Sequence, residues 1–211
     1  LRKYTTGTFA GIFSQQSNID INNQLVVFNV RDLEDELRPV AMYIVLNFIW
    51  NKTKSDRKRR LLIVDEAWQL MKYEDSANFL FSLAKRARKY DLGITTITQD
   101  VEDFMGSRMG RAIVANASMQ ILLKQSTSAV DVLSEVFKLT SEEKKRLSQF
   151  PVGQGLFFAG NSHVHIQIAA SPTETGLITT NPEQIRQMEQ GQSIDQPQGT
   201  IDLGNRLTPG I

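Results

Sequence analysis

The chain has 211 residues, 41% of them hydrophobic, and its 24 basic and 23 acidic residues nearly cancel. This composition supports one globular domain with a core of its own, and it gives no support to a surface that coats nucleic acid generally. The absence of cysteine excludes disulfides, zinc knuckles and thiol nucleophiles. The longest nearly apolar run, residues 40–50, is shorter than the roughly 20 residues of a bilayer span. Because the first residue is Leu, we expect the chain to be a piece of a longer protein.

The first quarter of the chain predicts an irregular start, a strand and a helix. Residues 1–23 mix Thr, Gly, Ser, Asn and Gln, which indicates irregular structure. Residues 24–30 (QLVVFNV) form a continuous β-branched run, which predicts a buried strand. The next helix is expected from about Leu37–Pro39 onward, because proline is tolerated only near a helix start. Its apolar residues lie nearly all round, so we expect it to be enclosed.

The middle of the chain alternates strands with a helix. Residues 61–65 (LLIVD) predict a buried strand, and residues 78–93 predict an amphipathic helix that ends at Gly93. Residues 94–99 (ITTITQ) predict a third strand, and residues 119–125 (MQILLKQ) predict a fourth. Strands joined by helical crossovers predict an α/β fold, with a mainly parallel sheet covered on both faces.

The last third predicts two short helices, a hairpin and a tail. The helices are expected at residues 128–137 and 140–150, the second with a capping box between Thr140 and Glu143. The alternation over residues 155–170 predicts a β-hairpin that turns at Gly160 and its neighbour. We therefore expect one domain over residues 1–178 and a polar, Gln-rich tail over residues 179–211, with one helix near Pro182–Gln190.

Two adjacent acids, Asp65 and Glu66, end an apolar strand. In a parallel sheet they would emerge at the carboxyl edge, where ligands bind. Four apolar residues followed by Asp-Glu form the Walker B pattern of nucleotide hydrolases. In that pattern the first acid holds hydrated Mg²⁺ and the second polarises the attacking water. The pattern alone is equally compatible with a strand that simply ends in solvated acids.

Further polar side chains are candidates for the same nucleotide site. Gln99 ends the next predicted strand, where a neutral amide can contact the γ-phosphate or the lytic water; taken alone, it is equally compatible with a simple polar strand end. Arg86, Arg88 and Lys89 precede that strand, and they form either a solvated helix face or an arginine presented to a nucleotide on a neighbouring subunit. Arg111, which follows Gln99 by 12 positions, is a second candidate for phosphate contact.

The phosphate-binding half of a nucleotide site is missing from the chain. No G-x-x-x-x-G-K-[ST] pattern occurs, and residues 106–112 (GSRMGRA) have the wrong spacing and no Lys-Ser or Lys-Thr. The isolated chain is therefore not expected to bind or hydrolyse ATP well by itself.

Five segments resemble the carboxy-terminal ATPase domain of the large conjugation ATPases of type IV secretion systems, which are RecA-like motors. The resemblance covers about residues 1–178, and its DEAW and TQD boxes are fairly specific as a set. The segments are residues 23–50, 59–71, 83–104, 115–126 and 150–160. The family carries its Walker A loop and a further amino-terminal region upstream of the first strand found here.

The resemblance implies a RecA-like P-loop core with a C-terminal β-hairpin, in an ATPase that uses ATP and Mg²⁺ to energise secretion, conjugative transfer and pilus biogenesis. It implies a cytoplasmic hexamer or dimer, peripheral to the inner membrane, that meets other type IV secretion subunits and hydrolyses ATP at subunit interfaces. It implies Asp65 and Glu66 as the Walker B acids and Gln99 as the sensor. Arg88 matches the family's trans-acting arginine, and Arg111 matches a further basic position.

Two other functions stay open from the sequence. A related DNA-pumping translocase or conjugative coupling protein would share the site and thread DNA, and the basic run at residues 57–60 (RKRR) is either a DNA contact or a solvated loop. A non-catalytic scaffold would use the acids structurally. Trp68 and Met71, one helical turn apart, are interpreted as packing residues.

Overall fold

The computed structural model describes residues 2–7, 10–13, 16, 23–56, 58–160 and 162–190. Its strands are β1 Arg60–Val64, β2 Leu92–Thr96, β3 Met119–Leu123, β4 Gln154–Ala159 and β5 Ser162–Gln167. Its helices are α1 Arg2–Thr5, α2 Ala10–Phe13, α3 Arg38–Ser55, α4 Glu74–Ala87, α5 Val101–Gly106, α6 Arg108–Asn116, α7 Thr127–Phe137, α8 Ser141–Gln149, α9 Pro172–Ile178 and α10 Pro182–Glu189. Two 3₁₀ helices span Ala67–Lys72 and Arg88–Tyr90.

The described strands form two sheets. β1 and β2 run parallel, with Arg60 opposite Leu92 and Val64 opposite Thr96, and α4 supplies the crossover between them. β3, β4 and β5 form an antiparallel sheet in that order, and β4 and β5 are the predicted hairpin. The predicted α/β class is confirmed by this arrangement of a parallel pair, flanking helices and a C-terminal hairpin.

One apolar core joins both sheets to the helices. Val64 of β1, Leu122 of β3 and Phe158 of β4 belong to the same buried cluster as Leu80 of α4 and Leu147 of α8. The opposite face of the sheets stays open in the described part of the chain, since every second residue of β1 and β3 is exposed there: Leu61, Ile63, Met119, Ile121 and Leu123. The prediction that these strands are buried on both faces is therefore wrong, because the described helices cover only one face.

The predicted strand at residues 24–30 is also wrong. Leu25 and Val27 are 82% and 77% exposed, and no strand ladder reaches this segment within the described residues. A β-branched run becomes a strand only where a neighbouring strand pairs with its backbone groups. Upstream, the predicted irregular start contains two single-turn helices, α1 and α2, among its described residues.

The helix boundaries were predicted with mixed success. α3 begins at Arg38 with Pro39 in its first turn, as predicted, but it is not enclosed all round because Ile44 is 46% exposed. α4 ends at Ala87, and the left-handed residue behind it is Asp91 (φ 54°) rather than Gly93, which lies inside β2.

The predicted elements after β3 are present, and local side-chain bonds explain where they start. Thr140 Oγ1 accepts a hydrogen bond from the Glu143 N–H, and the Glu143 carboxylate accepts one from the Thr140 N–H, which completes the predicted capping box of α8. α10 agrees with the helix predicted near Pro182–Gln190, and Asn181 caps it. The remaining predicted tail, residues 191–211, lies outside the described residues. Within the described residues, no helix combines the length and hydropathy that crossing a bilayer requires.

The capping box makes the stability of the fold depend on pH. The backbone N–H of Thr140 holds the pKa of Glu143 below its ordinary value, helped by the Thr140 hydroxyl and by His163. Because the folded pKa lies below the unfolded one, the stabilisation is complete above the unfolded value and is lost as the pH falls through the folded value. We expect Glu143→Gln to lower the free energy of unfolding by about 1 kcal/mol at pH 7 and by progressively less as the pH falls through the folded pKa of Glu143.

Urea unfolding at several pH values measures this difference. Glu135→Gln is the matched control, since Glu135 is exposed on α7 and no described group bonds to its carboxylate. A Glu143→Gln penalty that stayed constant from pH 7 to pH 3 would contradict the charged capping box.

Candidate functional site

The pairing of β1 and β2 continues past the ends of both strands. Ile97 N–H donates to the carbonyl of Val64, and Ala67 N–H donates to the carbonyl of Ile97, each at 2.9 Å. The Asp65–Glu66 pair therefore lies beside Ile97, and Gln99 follows two residues later on the neighbouring segment. The structure thus brings the predicted acids and the predicted amide to one edge, at the carboxyl ends of two paired parallel strands.

A tight turn holds the acids at this edge. Asp65 is exposed, and its Oδ1 accepts a hydrogen bond from the Glu66 N–H at 2.9 Å. Glu66 adopts a left-handed backbone conformation (φ 48°, ψ 43°), which is uncommon for a residue other than glycine. The 3₁₀ helix Ala67–Lys72 begins directly afterwards. The reversal at Glu66 ends the extended path of β1, so both carboxylates remain at the sheet edge.

The Glu66 side chain has a partner that the sequence analysis missed. Trp68 Nε1 donates a hydrogen bond to Glu66 Oε2 at 2.5 Å. The indole also packs against the main core, so its interpretation as a packing residue is correct but incomplete. No residue pattern indicated the bond, because it depends on the left-handed turn at Glu66.

Gln99 lies on a short segment that its neighbours hold in place. Thr98 Oγ1 donates to the carbonyl of Asp100 at 3.0 Å, and Asp100 Oδ1 accepts from the Asp103 N–H at 3.0 Å to cap α5. Gln99 itself is exposed, and its amide makes no hydrogen bond to any described residue. The amide is therefore available to a ligand at the edge.

Arg88 is not brought to this edge. It is exposed in the 3₁₀ turn between α4 and β2, at the amino end of β2. The five residues of β2 separate it from the carboxyl end by about 17 Å at ~3.3 Å per residue. Arg88 therefore lies at the opposite end of the strand from Asp65 and Gln99.

Arg111 has an intermediate position. It is exposed on α6, which packs against the 3₁₀ helix Ala67–Lys72 that follows the acids. No hydrogen bond or ion pair joins its side chain to Asp65, Glu66 or Gln99. The structure therefore places Arg111 on a neighbouring element without direct contact to the other predicted site residues.

The exposed Asp65 carboxylate suits a hydrated Mg²⁺. Only Oδ1 of the two oxygens is bonded to a described residue, and Mg²⁺ prefers one or two carboxylates completed by waters and phosphate oxygens. Across the described ranges, no group of three or more His, Asp or Glu residues is arranged to hold a metal by protein ligands alone. Asp65 would therefore hold the ion through water, together with the phosphates of a nucleotide.

An Asp-Glu pair and a glutamine at the carboxyl edge of paired parallel strands fit the arrangement expected of a P-loop domain. The profile of the TraG P-loop domain matches residues 1–151, a range that includes every predicted site residue. The chain is therefore a member of the TraG P-loop domain family.

Individual relatives agree with this assignment. The chain is 30% identical to protein TraC of Escherichia coli strain K12 over 137 residues. The aligned residues cover 60% of this chain and 16% of TraC. It is 40% identical over 83 residues to the DNA import protein CedB of Sulfolobus acidocaldarius, covering 36% of this chain and 14% of CedB. It is 24% identical over 136 residues to the type IV secretion system protein VirB4 of Bartonella quintana, covering 62% of this chain and 17% of that protein.

A solved structure has a fold that is highly similar to that of this chain. The structure of VirB4 of Thermoanaerobacter pseudethanolicus superposes with a TM-score of 0.76 and 30% sequence identity, over 82% of this chain and 49% of that one. The predicted resemblance to the type IV secretion and conjugation ATPases is confirmed. The chain spans 14% to 17% of the length of the curated relatives named above.

The left-handed turn predicts an unusual order of stability among Glu66 variants. Glu66→Gly and Glu66→Ala both lose the carboxylate and its bond to Trp68, but only glycine adopts φ 48° without steric cost. We expect the glycine variant to be more stable than the alanine variant by about 1 kcal/mol in urea unfolding.

The same pair of substitutions at Glu135, inside α7, is the matched control. There the alanine variant should be the more stable by about 1 kcal/mol, because glycine is unfavourable in a helix interior. If alanine were preferred at both positions, Glu66 would not occupy the left-handed turn.

Proposed function

We propose that this chain carries the Walker B, sensor and arginine part of an ATP-hydrolysing site, in a motor that energises type IV secretion, conjugative transfer and pilus biogenesis. The observation that carries the proposal is the arrival of the Asp65–Glu66 pair and Gln99 at one edge of the parallel pair β1–β2. Membership of the TraG P-loop domain family and the similarity to VirB4 support it. A scaffold function would leave this grouping of an exposed Asp65, a half-buried Glu66 and an unbonded Gln99 amide without a chemical role.

The phosphate-binding loop is proposed to come from a part of the protein outside this chain. No Walker A pattern occurs in the sequence, and the chain spans 49% of the solved VirB4 chain. The exposed aliphatic residues Leu61 and Ile63 of β1 offer a surface on which a further segment of the same protein can pack. A complete site would then combine that segment with the edge described here.

Each residue at the edge has a chemical task in this proposal. Asp65 would hold a hydrated Mg²⁺ ion, which when bound would supply positive charge that stabilises the charge developing on the terminal phosphates. Glu66 accepts the proton of the attacking water. Gln99 donates its amide to the γ-phosphate or accepts from the attacking water, and its segment connects the site to α5.

The position of Arg88 favours a role in trans. A side chain at the amino end of β2 does not reach a nucleotide at the carboxyl edge of its own chain, but a second copy can present it to that nucleotide. We therefore propose a dimer or hexamer with the site at the subunit interface, and Arg111 as an additional phosphate contact. From the resemblance to the conjugation ATPases, we also propose that the motor lies in the cytoplasm, peripheral to the inner membrane, beside other type IV secretion subunits.

DNA is a second candidate substrate, because CedB is named a DNA import protein. The structure weakens the basic run at residues 57–60 as its contact site. Arg60 is bound by the Asp56 side chain at 2.5 Å and by two backbone carbonyls of the same loop. Among the described residues of the run, only Lys58 and Arg59 therefore remain as exposed cations.

The proposed role of Glu66 as the base can be tested in the full-length protein, which includes its phosphate-binding segment. Glu66→Gln removes the proton acceptor and keeps the side-chain shape, so we expect kcat for ATP to fall by about 10²-fold or more while nucleotide affinity changes little. Steady-state turnover and a fluorescent-nucleotide titration measure the two quantities. Glu102→Gln, an exposed acid on α5, is the matched control. Equal turnover in wild type and Glu66→Gln would support the scaffold function instead.

The trans role of Arg88 gives a mixing test. Arg88→Ala and Glu66→Gln should each be inactive alone, because every interface lacks one required group. Co-assembled at equal amounts, about one quarter of the interfaces pair an intact Glu66 with an intact Arg88 from the neighbour, so turnover should reappear. Lys89→Ala, at the next position, should behave as wild type. A mixture no more active than its two components would show that Arg88 does not act across the interface.

A further inference from the structure

The bond between Trp68 and Glu66 assigns a task to a residue that the proposed mechanism does not use. Trp68 Nε1 donates to Glu66 Oε2 at 2.5 Å, in a partly buried setting. An indole N–H is a donor only, so it cannot accept a proton or replace the carboxylate as a base. Its bond to one carboxylate oxygen leaves the other oxygen, Oε1, for a water molecule.

The backbone around Glu66 is fixed at several points. The Glu66 N–H donates to Asp65 Oδ1, its carbonyl accepts from the Gln69 N–H, and the Ala67 N–H donates to the carbonyl of Ile97 on the β2 side. The remaining freedom of Glu66 therefore lies in its side-chain torsions. A hydrogen bond to the carboxylate is the interaction that restricts them.

The indole is itself held in place. Its ring packs against the main hydrophobic core, and the ammonium of Lys72 lies 4.5 Å from the ring centroid. A cation over the ring face attracts it electrostatically, and both residues belong to the 3₁₀ helix Ala67–Lys72. The Trp68 N–H donor therefore belongs to a ring whose position is fixed by its neighbours.

We propose that Trp68 is a positioning residue for hydrolysis, which rests on the proposed function of Glu66 as the base. The water oxygen forms a bond to the γ-phosphorus, the bond from that phosphorus to the β–γ bridging oxygen breaks, and the water proton goes to Glu66. ADP and inorganic phosphate are the products, and Glu66 later returns the proton to solvent. Trp68 keeps Oε2 occupied and so holds Oε1 in the orientation that receives the proton.

Trp68→Phe in the full-length protein tests the proposal, since it removes the N–H donor and the five-membered part of the indole but keeps an aromatic ring for the core and for Lys72. We expect kcat to fall about tenfold and KM for ATP to stay within about twofold, because the lost interaction serves the chemical step. In single-turnover experiments on the Glu66→Gln background, the same substitution should cause no further loss. Trp50→Phe, at the buried tryptophan of α3, is the matched control and should leave kcat unchanged.

Two results would overturn the positioning role: an unchanged kcat in Trp68→Phe, or an equal fold-loss in the wild-type and Glu66→Gln backgrounds. If Glu66→Gln itself leaves turnover unchanged, the proposed function fails independently of Trp68.

A measurement without turnover tests the contact even if Trp68→Phe folds poorly. In a nitrogen–proton NMR spectrum of the full-length protein, the indole N–H signals of Trp50 and Trp68 can be followed separately. Glu66→Ala should move the Trp68 signal and leave the Trp50 signal in place. If neither signal moves, the bond does not exist in solution and the inference fails.

Discussion

The parallel pairing of β1 with β2 is the constraint on which the candidate site depends. It runs past the regular strands through the Ile97 N–H to Val64 carbonyl bond and the Ala67 N–H to Ile97 carbonyl bond. These two bonds fix the register in which the Asp65–Glu66 pair faces the segment that carries Gln99. A shift by one residue would reverse the side-chain alternation and separate the acids from the amide.

The described helices cover the two faces of β1 and β3 unequally. Helices bury one face of β1 and β3, whereas Leu61, Ile63 and Ile121 on the other face are exposed. Exposed aliphatic residues at alternating strand positions are costly in water, and in α/β proteins further elements usually cover them. β1 is directly followed by Asp65 and Glu66, so a segment that covered the exposed face of β1 could also supply groups to the edge.

The sequence predicted most elements whose cause is local. The run before Asp65 predicted β1, the Thr140 and Glu143 spacing predicted the start of α8, and the alternation around Gly160 predicted the hairpin. The errors arose where a distant partner decides the outcome. Residues 24–30 have the composition of a strand, but no described strand pairs with them. Gly93 has the composition of a helix end, but Asp91 adopts the left-handed conformation, and Gly93 pairs with Leu61 in the sheet.

The candidate site also contains residues that the sequence indicates and a contact that it does not indicate. Asp65, Glu66 and Gln99 could be proposed as site residues from the sequence, because an apolar run ending in polar residues indicates which end of a strand they occupy. Trp68 could not, since its bond to Glu66 requires a left-handed glutamate, and glutamate has no preference for that conformation. Backbone strain of this kind persists only when surrounding bonds determine it, and here the Asp65, Gln69 and Ile97 bonds do so. The turn therefore places backbone strain at the residue that we propose as the base, which is expected if chemistry rather than folding selected its geometry.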